Sequence, residues 1–115
     1  MEVLRVLDGD TVEVRGSLLR NPFKVRIIGI DAPELHAANP QQLQRAQKAR
    51  KFLENLLIGR EGITLFVPLP KDQDESLFRT VLSFDRVEGH LYLDDETLVA
   101  DELVLEGLAD PVRWK

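Results

Sequence analysis

The amino-acid sequence predicts a mainly β protein with helices, of the α+β class, in which five strands form a Greek-key barrel. Three observations support this fold class. Short segments of alternating apolar and polar residues recur along the chain, turn-forming residues separate them at even spacing, and one long stretch of helical periodicity lies between the third and fourth strands. The 115 residues, of which 43% are hydrophobic, are enough for one domain with its own core and too few for two. We therefore expect residues 1–115 to form a single domain.

The first three strands are expected in the N-terminal part of the chain. Residues 2–7 and 11–15 alternate apolar and polar side chains on either side of the sequence DGDT, and Asp-Gly between such segments is a strong hairpin signal. The third strand is FKVRIIGI, residues 23–30. It is followed by DAPELHAANP, whose prolines interrupt any strand ladder. The sequence therefore predicts that a loop begins at about Asp31.

A helix is predicted to begin at Asn39 and to close at Gly59. Asn39 is a favourable N-cap, Pro40 occupies the first helical position, and Gly59 is suited to the C-terminal cap. Apolar residues follow one another at helical spacing between these ends: Leu43, Ala46, Ala49, Leu53, Leu56 and Leu57. The basic residues on the outer side are expected to face solvent only: Arg45, Lys48 and Lys51.

The second half of the chain is expected to complete the barrel. The segments GITLFV and LFRTVLSF have strand patterns, and a turn at RVEG leads to a short strand HLYL. The sequence DDET is expected to cap a short helix from about Leu98 to Glu106, which Gly107 ends. Five or six short strands, with a helix between the third and the fourth, are typical of an OB-type barrel.

Charge and composition exclude several classes of site. Residues 1–60 carry ten Lys and Arg against seven Asp and Glu, net +3, whereas residues 61–115 carry five against thirteen, net −8. A pI near 5.0 argues against a protein whose affinity depends on neutralising many phosphates of a nucleic acid, although it allows local binding of a few phosphates. The absence of cysteine excludes disulfides, thiolate metal sites and a cysteine nucleophile.

No targeting or membrane-spanning segment is predicted. No apolar run approaches the roughly 18 residues that a bilayer span needs, and no basic-then-apolar leader is present. We expect a protein that is cytoplasmic or that is secreted and supplied without its leader, and no membrane partner. His36 and His90 are isolated, without the spacing of a zinc site or a nucleophilic triad, and receive no role.

Three separated segments, taken together, resemble one family. VLDGDTVEV, FKVRIIGIDAPE and ESLFRTVLSF, with the trailing ADELVLEGLAD, are similar to a staphylococcal nuclease (thermonuclease) domain and occur in that family's order. The resemblance covers the chain from about Val3 to Asp110. It implies an OB fold and Ca²⁺-dependent hydrolysis of phosphodiester bonds in DNA or RNA. The implied partner is a nucleic acid substrate. The protein itself is expected to be a monomer, or a homodimer if apolar surface left uncovered by the family's missing third helix meets a second copy.

The resemblance also implies a metal site. Asp10 and Asp31 match the two metal carboxylates of the family, and the backbone carbonyl of Ala32 matches a third ligand. Asp8 is expected in the outer shell, where it would orient water molecules. Carboxylates and carbonyls suit Ca²⁺, because this hard cation takes oxygen ligands.

Three further residues match the family's catalytic groups. Arg26 and Arg79 correspond to the two arginines that contact the scissile phosphate, and the planar guanidinium pairs with phosphate oxygens bidentately. Glu34 corresponds to the glutamate that aligns the attacking water. Phosphodiester cleavage requires mainly positioning and charge compensation, which these residue types supply.

Each of these residues also has a purely structural interpretation. Asp10 can form a turn, Arg26 can be a solvent-facing strand residue, and Asp31 can cap its own loop. Arg79 can pair with Glu75 across a surface turn. Strict alternation would place Arg26 and Asp31 on opposite faces, so the catalytic interpretation requires the chain to leave the strand or to bulge at Gly29.

The sequence departs from the family pattern in two places. Leu77-Phe78 replaces the Tyr-Gly that precedes the second arginine in the best-known member, and the family's third helix is expected to be absent. Trp114 is the aromatic residue that remains near that end. The alternative function is a noncatalytic OB-type module that binds nucleic acid or protein, as in degenerate nuclease domains. Such domains typically lose the carboxylates and arginines, which this chain retains.

Overall fold

Two β-sheets and two helices make up the computed structural model, which describes residues 1–16, 22–32, 39–68 and 86–112. The elements are, in chain order, β1 Glu2–Asp8, β2 Thr11–Arg15, β3 Phe23–Ile27, β4 Ile30–Asp31, α1 Pro40–Leu57, β5 Thr64–Phe66, β6 Arg86–Tyr92, α2 Val99–Leu105 and β7 Asp110–Pro111. The larger sheet has the order β1-β2-β3-β6-β5, and β4 pairs with β7 in a second, two-stranded sheet. β3 and β6 run parallel, and the other named pairs are antiparallel.

The alternation in the first strands positions one face of the sheet against the core. Val12 and Val14 of β2 and Val25 and Ile27 of β3 are fully buried, while the residues between them are more exposed. Burial of β-branched side chains at every second position is the physical basis of the strand prediction.

The predicted α+β architecture of OB type is confirmed, with a five-stranded sheet and two helices. In the described residues the sheet does not close into a complete barrel, because β1 and β5 form its two edges. The Met1 ammonium group donates a hydrogen bond of 3.0 Å to the Ile63 carbonyl, just before β5, and so joins the two edges at one end. A partly open barrel is the usual form of this architecture.

Helix α1 begins where the sequence predicts. The Asn39 side chain accepts a hydrogen bond of 2.8 Å from the Gln41 backbone N–H, and Pro40 opens the helix. The helix ends at Leu57, and Gly59 follows with φ of +81°, the left-handed conformation that glycine adopts at little cost. Four residues of α1 are fully buried: Ala46, Ala49, Leu53 and Leu57.

Two local predictions in the second half of the chain are wrong: the turn at RVEG and the helix cap at DDET. The sequence RVEG is part of strand β6 and not a turn, since Val87 and Gly89 pair with β3. A Cβ added at Gly89 would lie 2.8 Å from the Phe66 carbonyl oxygen, so the close approach of β5 requires this glycine. The predicted strand LFRTVLSF lies outside the described residues.

The sequence DDET forms a turn before α2 instead of a helix cap. The N-cap is Leu98, which makes no side-chain cap hydrogen bond. The pKa of Asp95 is lowered mainly by a hydrogen bond from the Thr97 side chain. The Thr97 backbone N–H, which lies 3.1 Å from the Asp95 carboxylate, lowers the pKa further. Gly107, with φ of +70°, follows the end of α2 as predicted.

Among the residues that the structure describes, no helix has both the length and the hydropathy needed to cross a bilayer.

Candidate active site

The turn between β1 and β2 positions Asp10 beside β3. The Asp10 carbonyl accepts a hydrogen bond of 2.7 Å from the Ile27 backbone N–H, and the Thr11 hydroxyl donates to the Asp10 carboxylate at 3.0 Å. The Asp10 side chain is 16% exposed. The turn therefore fixes Asp10 through both its backbone and its side chain, while part of the side chain stays accessible to solvent. Asp8 ends β1 and pairs with Thr11 in the ladder.

Arg26 lies in the middle of the sheet between two carboxylates. It pairs with Thr11 of β2 on one side and with Glu88 of β6 on the other. Its Nε atom is 3.7 Å from Asp10 Oδ2, and its Nη1 atom is 3.7 Å from Glu88 Oε1. Both distances are longer than hydrogen bonds, and the Arg26 side chain is 41% exposed. The two carboxylates therefore attract the guanidinium without locking its orientation.

The chain leaves β3 before it reaches Asp31. The Ile28 backbone N–H donates to the Gly89 carbonyl at 3.1 Å, and Gly29 then adopts φ of +86°. Strand β4 follows on the second sheet, where Ile30 is buried and Asp31 is exposed. The departure from the strand that the catalytic interpretation requires is present, and it occurs at Gly29.

The predicted donor atoms for a metal ion are carboxylate and carbonyl oxygens. The predicted ligands are the carboxylates of Asp10 and Asp31 and the backbone carbonyl of Ala32, which follows Asp31 directly and is 8% exposed. In the described parts of the chain, no three His, Cys, Asp or Glu side chains lie together as a metal-binding group, so Asp8, Asp10 and Asp31 do not form such a cluster. Two carboxylates, one carbonyl and water are nevertheless a donor set that Ca²⁺ accepts, since its shell is flexible and made of oxygen.

Two of the predicted catalytic residues lie outside the described residues. These are Glu34 and Arg79. The Leu77-Phe78 departure, His36 and Trp114 also lie outside them. Their roles remain predictions.

Two contacts near the candidate site were not predicted from the sequence. Glu88 lies beside Arg26 because the parallel register of β6 brings this carboxylate to β3. The sequence RVEG predicts a turn instead, so it gives no indication of this contact. Arg45 was expected to face solvent, and this is wrong, because its guanidinium contacts Gly107 and Asp110. An arginine amid the polar face of a helix gave no signal for a partner more than sixty residues away.

A mainly apolar hollow near these strands is separate from Arg26 and Asp10. It has a volume of about 360 Å³ and is lined by Ile30, His90 and Leu105 among others. Within the described ranges, Nδ1 of His90 is buried without a hydrogen-bond partner, and the His90 ring stacks on Phe66 at 6.4 Å. Arg26 and Asp10 do not line this hollow, and their side chains are 41% and 16% exposed on the sheet.

Comparison of the chain with known protein families identifies a family match. Residues 24–115 match the family described as "Staphylococcal nuclease homologue". The chain is also 35% identical over 60 residues to a protein named "Protein ParB" from Escherichia coli, a match that spans 52% of this chain and 33% of that protein. The matched segment of the chain thus spans about a third of the length of this relative.

The family match extends over most of the chain, from the second residue of β3 through β7 and including both helices, while β1, β2 and the turn at Asp10 precede it. Proteins of this family are generally nucleases that act on nucleic acids, and they typically depend on calcium. The chain belongs to the staphylococcal nuclease homologue family.

Proposed function

We propose that this protein is a Ca²⁺-dependent nuclease that hydrolyses phosphodiester bonds of DNA, RNA or both. Asp10, Asp31 and the Ala32 carbonyl would hold the metal, with Asp8 in the outer shell. Arg26 and Arg79 would contact the scissile phosphate, and Glu34 would align the attacking water. Family membership supports the reaction class. The residues are proposed from the resemblance of their sequence segments to the family, and Asp8 and Asp10 precede the matched residues 24–115.

The observation that carries the proposal is the pairing of Arg26 with Asp10. Nε of Arg26, whose side chain is 41% exposed, lies 3.7 Å from the Asp10 carboxylate. The Thr11 hydroxyl donates to this carboxylate, and the Ile27 backbone N–H holds the Asp10 main chain in the turn. A phosphodiester needs a cation aimed at its oxygens, and a metal ion needs a fixed carboxylate nearby. The two groups are neighbours in space, although sixteen positions separate them along the chain.

The same contact predicts that metal and phosphate bind cooperatively. In the free protein, Arg26 lies between Asp10 and Glu88, which partly neutralise its charge. Exposed ion pairs of this kind contribute at most about 1 kcal/mol, so they do not prevent the guanidinium from turning to a phosphate. A cation on Asp10 would compete for that carboxylate, and Arg26 would then be available to a phosphate oxygen.

The chemistry is an attack of water on phosphorus with departure of an ester oxygen. Ca²⁺, when bound, would supply charge compensation and a point of attachment for the phosphate. Glu34 would accept a proton from the attacking water, and the water oxygen would form the new phosphorus–oxygen bond as the bond to the ester oxygen breaks. The departing ester oxygen would take up a proton from solvent and leave as an alcohol. Arg26 and Arg79 would donate hydrogen bonds to the phosphoryl oxygens, on which negative charge increases.

A cleavage assay tests the proposal. Plasmid DNA, heat-denatured DNA and RNA would be incubated with the protein in millimolar Ca²⁺ and, separately, with excess chelator. We expect degradation with Ca²⁺ and none with chelator. Arg26→Ala should lower turnover by about a hundredfold or more, because each removed donor of this kind costs on that order.

Arg5 provides the matched control. It is an exposed arginine on the same sheet, paired with Glu13 at 3.0 Å and without a predicted role. Arg5→Ala should cleave at the parental rate. A pure protein without Ca²⁺-dependent cleavage, or an Arg26→Ala variant as active as the parent, would reject the proposal.

Thermal denaturation separates catalysis from binding. Ca²⁺ and a nucleotide bisphosphate should together raise the Tm more than the sum of their separate effects, because each reduces the charge that opposes the other. A protein that shows this stabilisation but no cleavage would be the noncatalytic binding module. A protein that shows neither would have no active metal–phosphate site at Asp10 and Arg26.

A further inference from the structure

Arg45 joins helix α1 to the segment that follows α2. Its Nε atom donates a hydrogen bond of 2.9 Å to the Gly107 carbonyl, and its Nη2 and Nη1 atoms lie 3.2 Å and 3.5 Å from the two carboxylate oxygens of Asp110. The Arg45 side chain is only 33% exposed. A guanidinium that spans a carbonyl and a carboxylate in this way constrains both, because its donors have a fixed planar geometry.

The segment that Arg45 holds is the strand that pairs with β4. Asp110 of β7 lies directly opposite Asp31 in the antiparallel ladder. The Val112 backbone N–H donates to the Gly29 carbonyl at 3.0 Å and extends the pairing by one bond. A two-residue ladder is too short to be stable by itself, so it depends on what its strands are attached to.

Two carboxylates therefore face each other on this ladder. Directly opposite residues in an antiparallel pair have Cβ atoms about 4.5–5.5 Å apart on the same face, and like charges there are destabilising. Arg45 is the cation that contacts one of them, Asp110. Without it, repulsion between Asp31 and Asp110 would favour separation of β4 from β7.

We infer that Arg45 is a positioning residue for the Asp31 carboxylate. By holding Gly107 and Asp110 it fixes β7, and the ladder with β7 fixes β4, on which Asp31 lies. The inference rests on the proposed function only where it treats Asp31 as a metal ligand; the mechanical link from α1 to β4 stands on the contacts alone.

Arg45→Lys tests the link without changing the net charge. Lysine keeps the positive charge but cannot contact Gly107 and both Asp110 oxygens at once. Hydrogen exchange of the Val112 amide, followed by NMR, should become about tenfold faster, because its bond to Gly29 depends on β7.

The second readout is Ca²⁺ affinity, measured by calorimetry in the same variants. Loss of groups that orient a metal ligand typically weakens binding tenfold or more, so Arg45→Lys should raise the Kd for Ca²⁺ by about tenfold. Arg50→Lys is the matched control, since Arg50 lies on the same helix and, within the described part of the chain, pairs with Glu54 of that helix at 3.3 Å. It should change neither exchange nor affinity.

Each outcome decides a specific part of the inference. Faster exchange with unchanged Ca²⁺ affinity would mean that Arg45 holds β7 but does not position Asp31, and the inference would be wrong. Unchanged exchange of the Val112 amide in Arg45→Lys would show that Arg45 does not hold β7, and the inference would be wrong. If the parent protein binds no Ca²⁺, the proposed function and the metal half of the inference fail together, while exchange still decides the link.

Discussion

Replacing Gly29 with alanine should lower the free energy of unfolding by about 1 kcal/mol. Gly29 has φ of +86°, a region in which a side chain costs about 1–2 kcal/mol. Alanine also restricts the unfolded chain, which offsets the loss by roughly 0.4–1 kcal/mol. A Cβ built at Gly29 would meet no described atom within 4 Å, so no collision adds to the cost. The net effect comes from the backbone alone.

The position of Gly29 gives this strain a second consequence. The turn at Gly29 takes the chain from Arg26 on β3 to Asp31 on β4, so a change of backbone conformation there moves the two residues relative to each other. Displacements of about 1 Å can lower catalytic rates by about a hundredfold. We expect Ca²⁺-dependent cleavage to fall by about ten- to a hundredfold in Gly29→Ala.

Gly59→Ala is the matched control. Gly59 has φ of +81°, and its Cβ would also meet no described atom within 4 Å, but it follows helix α1 and does not connect site residues. Urea denaturation should show the same loss of about 1 kcal/mol for both variants, equivalent to a fall in Tm of roughly 4 °C. Only Gly29→Ala should lose cleavage.

Two results would refute this reasoning. If Gly29→Ala is as stable as the parent protein, the positive φ is not a source of strain. If both variants lose cleavage equally, general destabilisation explains the effect, and the turn at Gly29 does not determine the arrangement of Arg26 and Asp31.

Three further predictions concern stability and protonation. Asn39→Ala should cost about 1 kcal/mol in urea denaturation because it removes the helix cap, whereas Asn55→Ala, on the exposed face of the same helix, should cost nothing; equal losses would contradict the cap. Leu53→Ala should cost about 3 kcal/mol, since this side chain is fully buried, and a loss below about 1 kcal/mol would contradict the packing. Thr97→Val should raise the pKa of Asp95 toward its ordinary value in an NMR titration, because the hydroxyl hydrogen bond is lost. In the parent, the stability that Asp95 contributes is present above its ordinary pKa and is lost as the pH falls through the lowered folded value; an unchanged pKa in the variant would contradict this cause.

Local features of the fold could be predicted from the sequence because local physics determines them. The Asn39-Pro40 start of α1 and the glycine after its end follow from hydrogen bonding and φ preferences within a few residues. The first two strands and the turn at Asp10 follow from alternation and turn chemistry. The requirement that the chain leave β3 before Asp31 came from the same alternation.

Long-range pairings could not be predicted in this way. Nothing in the RVEG sequence indicates that it runs parallel to β3, which is why Glu88 was not expected beside Arg26. The ladder of β4 with β7 contains two residues, too few to produce a pattern. The contact of Arg45 with Asp110 depends on where α1 lies relative to that ladder, and a single helix sequence does not contain this information.

The parallel pairing of β3 with β6 also has a consequence for the order in which the protein folds. β1, β2 and β3 are joined in sequence and pair as neighbours, so the contact of Asp10 with Arg26 needs only short loops to close. β6 pairs residue 87 with residue 25, and closing so long a loop is slow. During synthesis, the first three strands leave the ribosome well before β6. We expect pulse-labelling to find protected β2 and β3 amides before Glu88 reaches its place beside Arg26.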